Sequence, residues 1–364
     1  MHGLTTGSKK GKILRTFNYK DICSKLFTSD IVAMLTQIYE FKGRQEPLFG
    51  MGADVLTHLT EVAKIQSIDA SNRIEGIFTS DDRLRKLAKA KTNPQNRNEQ
   101  EIAGYRDVLA MIHQDHDYIP LKSSVILQLH RDLYKYSEKS FGGTYKTTNN
   151  QILEKDESGN EFVRFEPVEA WETPDAIESI CTAFDKAVKD QAEPLLAIPA
   201  LILDFLCIHP FSDGNGRMSR LLTLLLLYRA GYVVGKYISI EKLVEQSKES
   251  YYETLFDSSI NWHEGTNDYE PFVKYTLGTI LAAYRDCASR VEVLIVSGLS
   301  KSDRVREIIR DRLGKITKRE ILEECPDISE QTIKRTLSEL LKNEDIIKLG
   351  GGRYTEYTWN REKD

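Results

Sequence analysis

Twelve residues from His209 to Arg220 (HPFSDGNGRMSR) bring together the side-chain types that phosphate chemistry needs. His209 supplies a base that titrates near neutral pH. Asp213 is a hard carboxylate suited to Mg²⁺ or Mn²⁺. Gly214 and Gly216 flank Asn215, and two residues without a Cβ let backbone N–H groups approach an anion closely. The run Leu221-Leu-Thr-Leu-Leu-Leu-Leu227 follows at once and reads as a buried helix, so the glycines fall at its N-terminus. Orphan N–H groups and the helix dipole favour phosphate there. Arg217 and Arg220 are three apart, which predicts one shared face and a joint grip on a polyphosphate. A lone histidine or a lone Gly-Asn-Gly would mean no more than a capping turn. All these roles in order predict a nucleotide site.

Other elements must hold this segment in place. Pro194 to Ile208 is apolar enough for a buried helix, and Pro210 disfavours helical geometry at His209, ending that helix beside the start of the next. Upstream, helical periodicity covers Asn18 to Glu40 and Asp54 to Ile74, with Gly43, Pro47, Gly50 and Gly52 in the gap. The second pattern closes on Ser71-Asn-Arg-Ile-Glu75-Gly76. Ser71 and Glu75 are four apart and face the same way, and Gly76 suits a cap. His130, in Leu129-His-Arg-Asp-Leu133, has no carboxylate or cysteine at ligand spacing and reads as a structural histidine.

The segment 209–220 resembles the motif HPFx(D/E)GNGRxxR of the Fic family at every defined position. That resemblance implies transfer of a nucleoside monophosphate, usually AMP from ATP, onto a protein hydroxyl. His209 would deprotonate the hydroxyl and Asp213 would hold the metal. Asn215, the N–H groups of Gly214 and Gly216, and Arg217 would bind the α- and β-phosphates, and Arg220 the γ-phosphate. The intact Gly-Asn-Gly favours AMP transfer over the phosphorylation seen in Doc-like members.

Ser71 to Gly76 is similar to the inhibitory motif (S/T)xxxE(G/N), placed N-terminal to the core as in class II members. The implied mechanism pairs Glu75 with Arg220 and so withdraws the γ-phosphate arginine, with the inhibitory helix at about 60–76. Glu101 to Asp107 and Leu129 to Leu133 extend the resemblance. Two short strands, Thr147 to Glu154 and Glu161 to Phe165, read as a hairpin about a polar turn. It is similar to the flap (about 146–165) that binds the target protein by β-augmentation. Lys146 stands where Arg is frequent. Tyr252 and Leu255, three apart on a helix, resemble the segment that packs on adenine, although such a stripe is more often core.

The resemblance implies a mainly α fold, a Fic helical bundle with a β-hairpin flap. Beyond a connector at Val293–Ser302, three helical patterns (Asp303–Leu313, Thr317–Glu324, Ser329–Lys342) and two strands read as a small winged helix-turn-helix domain. The domain plan is 1–95 with the inhibitory helix, 96–292 as catalytic core, and 303–364. Thr332, Lys334 and Arg335 could face a DNA groove. Yet residues 301–364 hold 15 Lys/Arg against 14 Asp/Glu, a weak footprint for DNA, so a DNA or a protein partner stays open.

A net charge of −5 argues against a coat on nucleic acid or membrane. The five cysteines lack CxxC spacing, and neither a signal peptide nor a membrane span is legible, which predicts a cytoplasmic protein. The reading is an autoinhibited protein adenylyltransferase using ATP and Mg²⁺ (or Mn²⁺), of a family in which homodimers are common. The alternatives are a DNA-binding regulator whose core senses nucleotide, and an enzyme that removes AMP or transfers another phosphoryl-linked group.

Overall fold

The computed structural model describes residues 15–45, 53–137, 141–155, 161–296, 300–312, 314–325, 328–352 and 355–361. The turn expected between the hairpin strands therefore lies outside the described residues, apart from Lys155. The fold is mainly helical. The chain runs α1 (Tyr19–Lys25), α2 (Ser29–Gln45), α3 (Ala53–Ile74), α4 (Asp81–Ala88), α5 (Arg97–Asp115), α6 (Ser123–Leu133), β1 (Ile152–Lys155) and β2 (Glu161–Phe165). It continues through α7 (Thr173–Lys189), α8 (Pro194–Ile208), α9 (Asn215–Arg229), α10 (Ile240–Gln246), α11 (Lys248–Ser259) and α12 (Glu270–Val296).

The centre is the packed pair α8 and α9. Both are apolar around most of their circumference, which is the pattern of a helix enclosed on all sides. α8 is wrapped by α1, α7, α9, α11 and α12. Its one interior acid, Asp204, is fully buried and accepts from Trp262 Nε1 at 2.7 Å, Tyr269 OH at 2.8 Å and Tyr19 OH at 2.9 Å. Arg15 stacks 4.8 Å from the Trp262 ring and donates to Tyr269 OH at 2.7 Å. Three donors and a nearby cation offset the cost of burying a carboxylate. The segment from Arg15 to Tyr19 is thereby pinned to the helix that ends at His209.

Several expected boundaries move. The pattern over Asn18–Glu40 is two helices, broken at residues 26–28, because Thr28-Ser29-Asp30 is itself a helix-start signature with an acid in the first turn. The expected connector is shorter, since α12 continues to Val296 with no glycine or proline between Gly278 and Gly298 to stop it. The first hairpin strand starts at Ile152, not Thr147, because Lys146 and Asn150 are tied to the backbone around His209.

The C-terminal segment has its own core, centred on Val305, Ile309, Ile321, Ile333 and Leu337. It contains α13 (Lys301–Asp311), β3 (Ile316–Thr317), α14 (Lys318–Glu324), α15 (Glu330–Lys342), β4 (Ile346–Leu349) and β5 (Glu356–Trp359), with antiparallel sheet order β3-β5-β4. Two-residue β3 is too short to show a strand period. The unit rests on α4: Arg85 donates to Lys315 O, and Gly314 packs on Asp81 so closely that a Cβ there would lie 2.7 Å from Oδ2. Among the described residues, no helix is long and apolar enough to cross a membrane.

Candidate functional site

α8 ends at His209, which adopts the left-handed conformation (φ 52°, ψ 62°). For a residue with a Cβ this costs about 1–2 kcal/mol, so the surroundings must enforce it. Nδ1 lies 3.2 Å from Leu206 O, which places the proton on Nδ1 and leaves Nε2 as a free acceptor. Burial pushes the imidazole pKa down to about 4; the Leu206 carbonyl opposes this, Lys146 adds to it, and Glu75 opposes it more weakly. His209 is therefore a neutral base throughout the physiological range, not a group titrating near pH 7 as its type suggests.

The loop after His209 is stapled to its neighbours. Phe211 is fully buried, and its ring stacks on His130 at 3.7 Å and 4°. His130 Nε2 donates to Asp213 O at 3.1 Å, while Nδ1 accepts the Gly143 N–H at 3.0 Å. This histidine is structural, but the structure it holds is the motif itself. Asn215 differs from expectation. Its side chain is buried with both polar atoms spent on the Phe211 backbone, accepting at 2.9 Å and donating at 2.7 Å. Closing the loop leaves only the Asn215 backbone N–H for an anion.

Gly214 caps α9 with φ 85°, and a Cβ there would meet Tyr134 OH at 2.9 Å. The first N–H groups of α9, those of Asn215, Gly216 and Arg217, have no carbonyl within the helix to bond. Glu75 lies over this end: a Cβ on Gly216 would fall 2.2 Å from Glu75 Oε1 and 3.3 Å from Arg220 Nη1. A carboxylate sits where the dipole favours an anion.

Arg217 and Arg220 do not grip together. Arg217, 1 % exposed, turns to Glu101 (Nη1 to Oε2, 2.8 Å) and donates from Nη2 to Tyr134 OH at 2.7 Å. Arg220, 6 % exposed, turns to the C-terminal end of α3. Its Nε donates to Ser71 Oγ at 2.8 Å, and its Nη2 donates to Ser71 O at 2.9 Å and Glu75 Oε1 at 2.7 Å. Burial pulls the Arg220 pKa down, but Glu75, Tyr251 and Tyr105 outweigh it and the net direction is up. Each arginine follows its own acid, buried Glu101 or partly exposed Glu75, which helix spacing alone cannot foresee. Gly76 follows with φ 74°, and Lys248 Nζ donates to Ile74 O at 2.9 Å, closing the end of α3.

Asp213 stays partly exposed at the rim, 3.6 Å from Arg217 Nη2 and 3.8 Å from Arg97 Nη2. Among the described residues no group of three or more His, Cys, Asp or Glu could hold a metal ion. One rim carboxylate beside a phosphate cradle still fits Mg²⁺, which commonly takes one protein carboxylate and draws its other ligands from phosphates and water.

Tyr252 and Leu255 are partly buried on α11 and pack against the core. Lys248 lies 5.9 Å from the Tyr252 ring. The hairpin reaches the same helix: Arg164 of β2 donates to Tyr252 O at 3.0 Å and lies 4.7 Å from the Phe256 ring. Strands β1 and β2 pair antiparallel with an irregularity between Ile152 and Leu153, and Leu153, Phe162 and Val163 are exposed.

Four residues of the site went unassigned in the sequence. Tyr134 holds Arg217, and Lys146 and Asn150 bond the motif backbone. The fourth, Glu101, did leave a signal: it shares an apolar helix face with Tyr105, Val108 and Ile112.

The Fic/DOC family model matches residues 120–227. Among curated proteins, the chain is 24% identical over 168 residues to protein adenylyltransferase fic-1 of Caenorhabditis elegans, covering 46% of this chain and 28% of that protein. It is 36% identical over 108 residues to protein adenylyltransferase Fic of Drosophila melanogaster (28% and 20%) and 47% identical over 68 residues to the Aedes aegypti protein of that name (19% and 11%). The chain thus spans less than a third of these relatives. Among solved structures, a Fic family protein from Desulfovibrio desulfuricans has a TM-score of 0.60 at 20% identity, covering 92% of this chain and 97% of its own. A Fic domain containing signaling protein from Bacteroides thetaiotaomicron has a TM-score of 0.59 at 22% identity, covering 73% and 99%. At these identities the structural likeness speaks for the fold alone.

Proposed function

We propose, from the premise that residues 120–227 of this chain form a Fic/DOC domain, that the protein is an adenylyltransferase held off by its own α3. It would transfer AMP from ATP to a Ser, Thr or Tyr hydroxyl of another protein. The observation that carries the inhibited state is the Glu75 carboxylate, paired with Arg220 and lying over Gly216 at the start of α9.

The residues divide the chemistry as follows. The N–H groups at the start of α9 receive the α- and β-phosphates. Arg220, once released from Ser71 and Glu75, takes the γ-phosphate by charge-assisted bonds. Asp213 would hold Mg²⁺, which neutralises phosphate charge when bound. The target hydroxyl, presented along the hairpin, attacks the α-phosphorus while His209 Nε2 removes its proton. The new O–P bond forms as the bond to pyrophosphate breaks, and pyrophosphate leaves with its electron pair. Arg217 supports the site indirectly, since its guanidinium is committed to Glu101 and Tyr134. Tyr252 and Leu255 flank the cleft on the adenine side.

For the C-terminal unit, proposed as a winged helix, the exposed charges of α15 favour a protein partner over DNA. Lys334 pairs with Glu330 at 3.0 Å, Lys318 with Glu330 at 2.8 Å, and Arg335 with Glu339 at 3.9 Å. Paired surface charges offer little to a phosphate backbone.

The test compares α-labelled with γ-labelled ATP, using Glu75→Gly protein, Mg²⁺ and cell lysate. Label on protein from the α-position alone supports AMP transfer. Label from the γ-position alone would replace it with phosphorylation.

A further inference from the structure

We infer that Lys146 and Asn150 are positioning residues for the transfer reaction, holding the backbone on both sides of His209 and tying it to the first flap strand. The inference rests on the transferase reading above.

The geometry is a run of four consecutive carbonyls, each met by a donor from the same short segment. Lys146 Nζ donates to Ile208 O at 3.0 Å. Asn150 Nδ2 donates to His209 O at 3.4 Å and to Phe211 O at 3.1 Å. The Lys146 backbone N–H donates to Pro210 O at 2.9 Å. Lys146 Nζ also donates to Asn150 Oδ1 at 2.8 Å, so the two side chains brace each other.

The first of these carbonyls, Ile208 O, is the last of α8, where the final C=O groups lack intrahelical partners and the dipole is negative; the other three follow it into the loop. A buried cation answers both needs, and Lys146 is 3 % exposed. The residue between them is His209 in its left-handed conformation, which a non-glycine residue keeps only when its neighbours impose it. Without these donors the flanking peptide planes are free to turn, and the aim of Nε2 turns with them. Two charged groups act on the imidazole. Lys146 disfavours its protonated form, and Glu75, at the end of α3, favours it. Lys146 itself is pushed by burial only to about 8, so it is still mostly a cation at neutral pH.

The segment also runs directly into the hairpin. Asn150 is two residues before β1, whose partner β2 is anchored on α11 through Arg164. A peptide added to the hairpin therefore pulls on the residues that aim the base. Seating of the target and alignment of His209 become one event.

The experiment uses the full chain carrying Glu75→Gly, with Lys146→Met, Lys146→Arg or Asn150→Ala added. Lys146→Met and Asn150→Ala should lower kcat about 10- to 100-fold, the scale of a misaligned reacting group. ATP affinity should stay within about twofold, because the interaction lost is one of alignment and not of ground-state binding. Lys146→Arg, which keeps the cation, should restore most of kcat. In parallel, NMR titration of the His209 ring should show a higher midpoint in Lys146→Met than in the parent, because Lys146 disfavours the protonated ring, while burial, the larger cause, keeps it below the ordinary value. Unchanged kcat in both variants, equal losses of kcat and ATP affinity, or an unmoved His209 midpoint would overturn the inference. Absence of transfer from the Glu75→Gly parent would instead remove the transferase reading, and the titration, which needs no turnover, would still decide the positioning claim.

Discussion

The Glu75 carboxylate rests on the backbone of Gly216, where a Cβ would meet its Oε1 at 2.2 Å. That approach predicts an energetic coupling between the two positions. In the wild type, Gly216→Ala must displace Glu75 from Arg220 and should cost about 1–2 kcal/mol of stability. In a Glu75→Gly background the same substitution meets no carboxylate. Alanine's better helix propensity, worth up to ~1 kcal/mol, should then make it neutral or stabilising. Urea unfolding of the four proteins measures the interaction term, and simple additivity would place Glu75 elsewhere.

The Ser71 and Glu75 contacts differ in strength, and the nucleotide should report it. Glu75→Gly both frees Arg220 and removes an anion from the phosphate site, and calorimetry should show ATP binding at least about tenfold tighter, some 1.4 kcal/mol. Ser71→Ala loses one neutral acceptor, worth about 1 kcal/mol, and should give a smaller gain. Equal ATP affinity in wild type and Glu75→Gly would remove Glu75 as the obstacle.

Acid sensitivity follows from the buried histidines. Burial pushes His113 down to about 3, and His130 and His209 to about 4. Each is neutral in the fold but takes up a proton near ~6.5 once unfolded. Stability is therefore fully present above ~6.5 and is lost as pH falls toward 4, by ~3 kcal/mol for a fully buried ring such as His130. Urea midpoints should drop between pH 7 and pH 5, before the carboxylates begin to titrate. For the same reason, transfer activity should hold from pH 8 down to about 5 in place of halving near 6.5.

Asp213 supplies a test of the metal. Asp213→Ala in the Glu75→Gly protein should reduce transfer at least about 100-fold at ordinary Mg²⁺, since among the described residues the other nearby acid, Glu101, is committed to Arg217. Binding of ADP without metal should change by less than about threefold. Transfer that survives both this change and chelation would exclude the metal role.

How far the sequence carried depended on how local each cause is. The His209–Arg220 segment is legible because loop, cap and helix start are contiguous and each residue type has a chemical reason to be there. Helices α3, α8, α14 and α15 follow from period and caps. The turn of Arg220 toward Glu75 was legible only through the family resemblance, and the turn of Arg217 was not legible at all, since its partner Glu101 sits on a helix more than a hundred residues away. Asn215 shows the same limit: its type suits a ligand, but the Phe211 backbone lay nearer. The pKa of His209 depends on burial and on Lys146, neither of which a motif displays.

The most direct measurement follows label from α-labelled ATP onto protein in wild type, Glu75→Gly and Glu75→Gly/His209→Ala, with Mg²⁺ and lysate. The account predicts faint label in wild type, strong label in Glu75→Gly, and a fall of about 10²–10⁴ when the base is removed. Label equal in wild type and Glu75→Gly, or undiminished without His209, would contradict it.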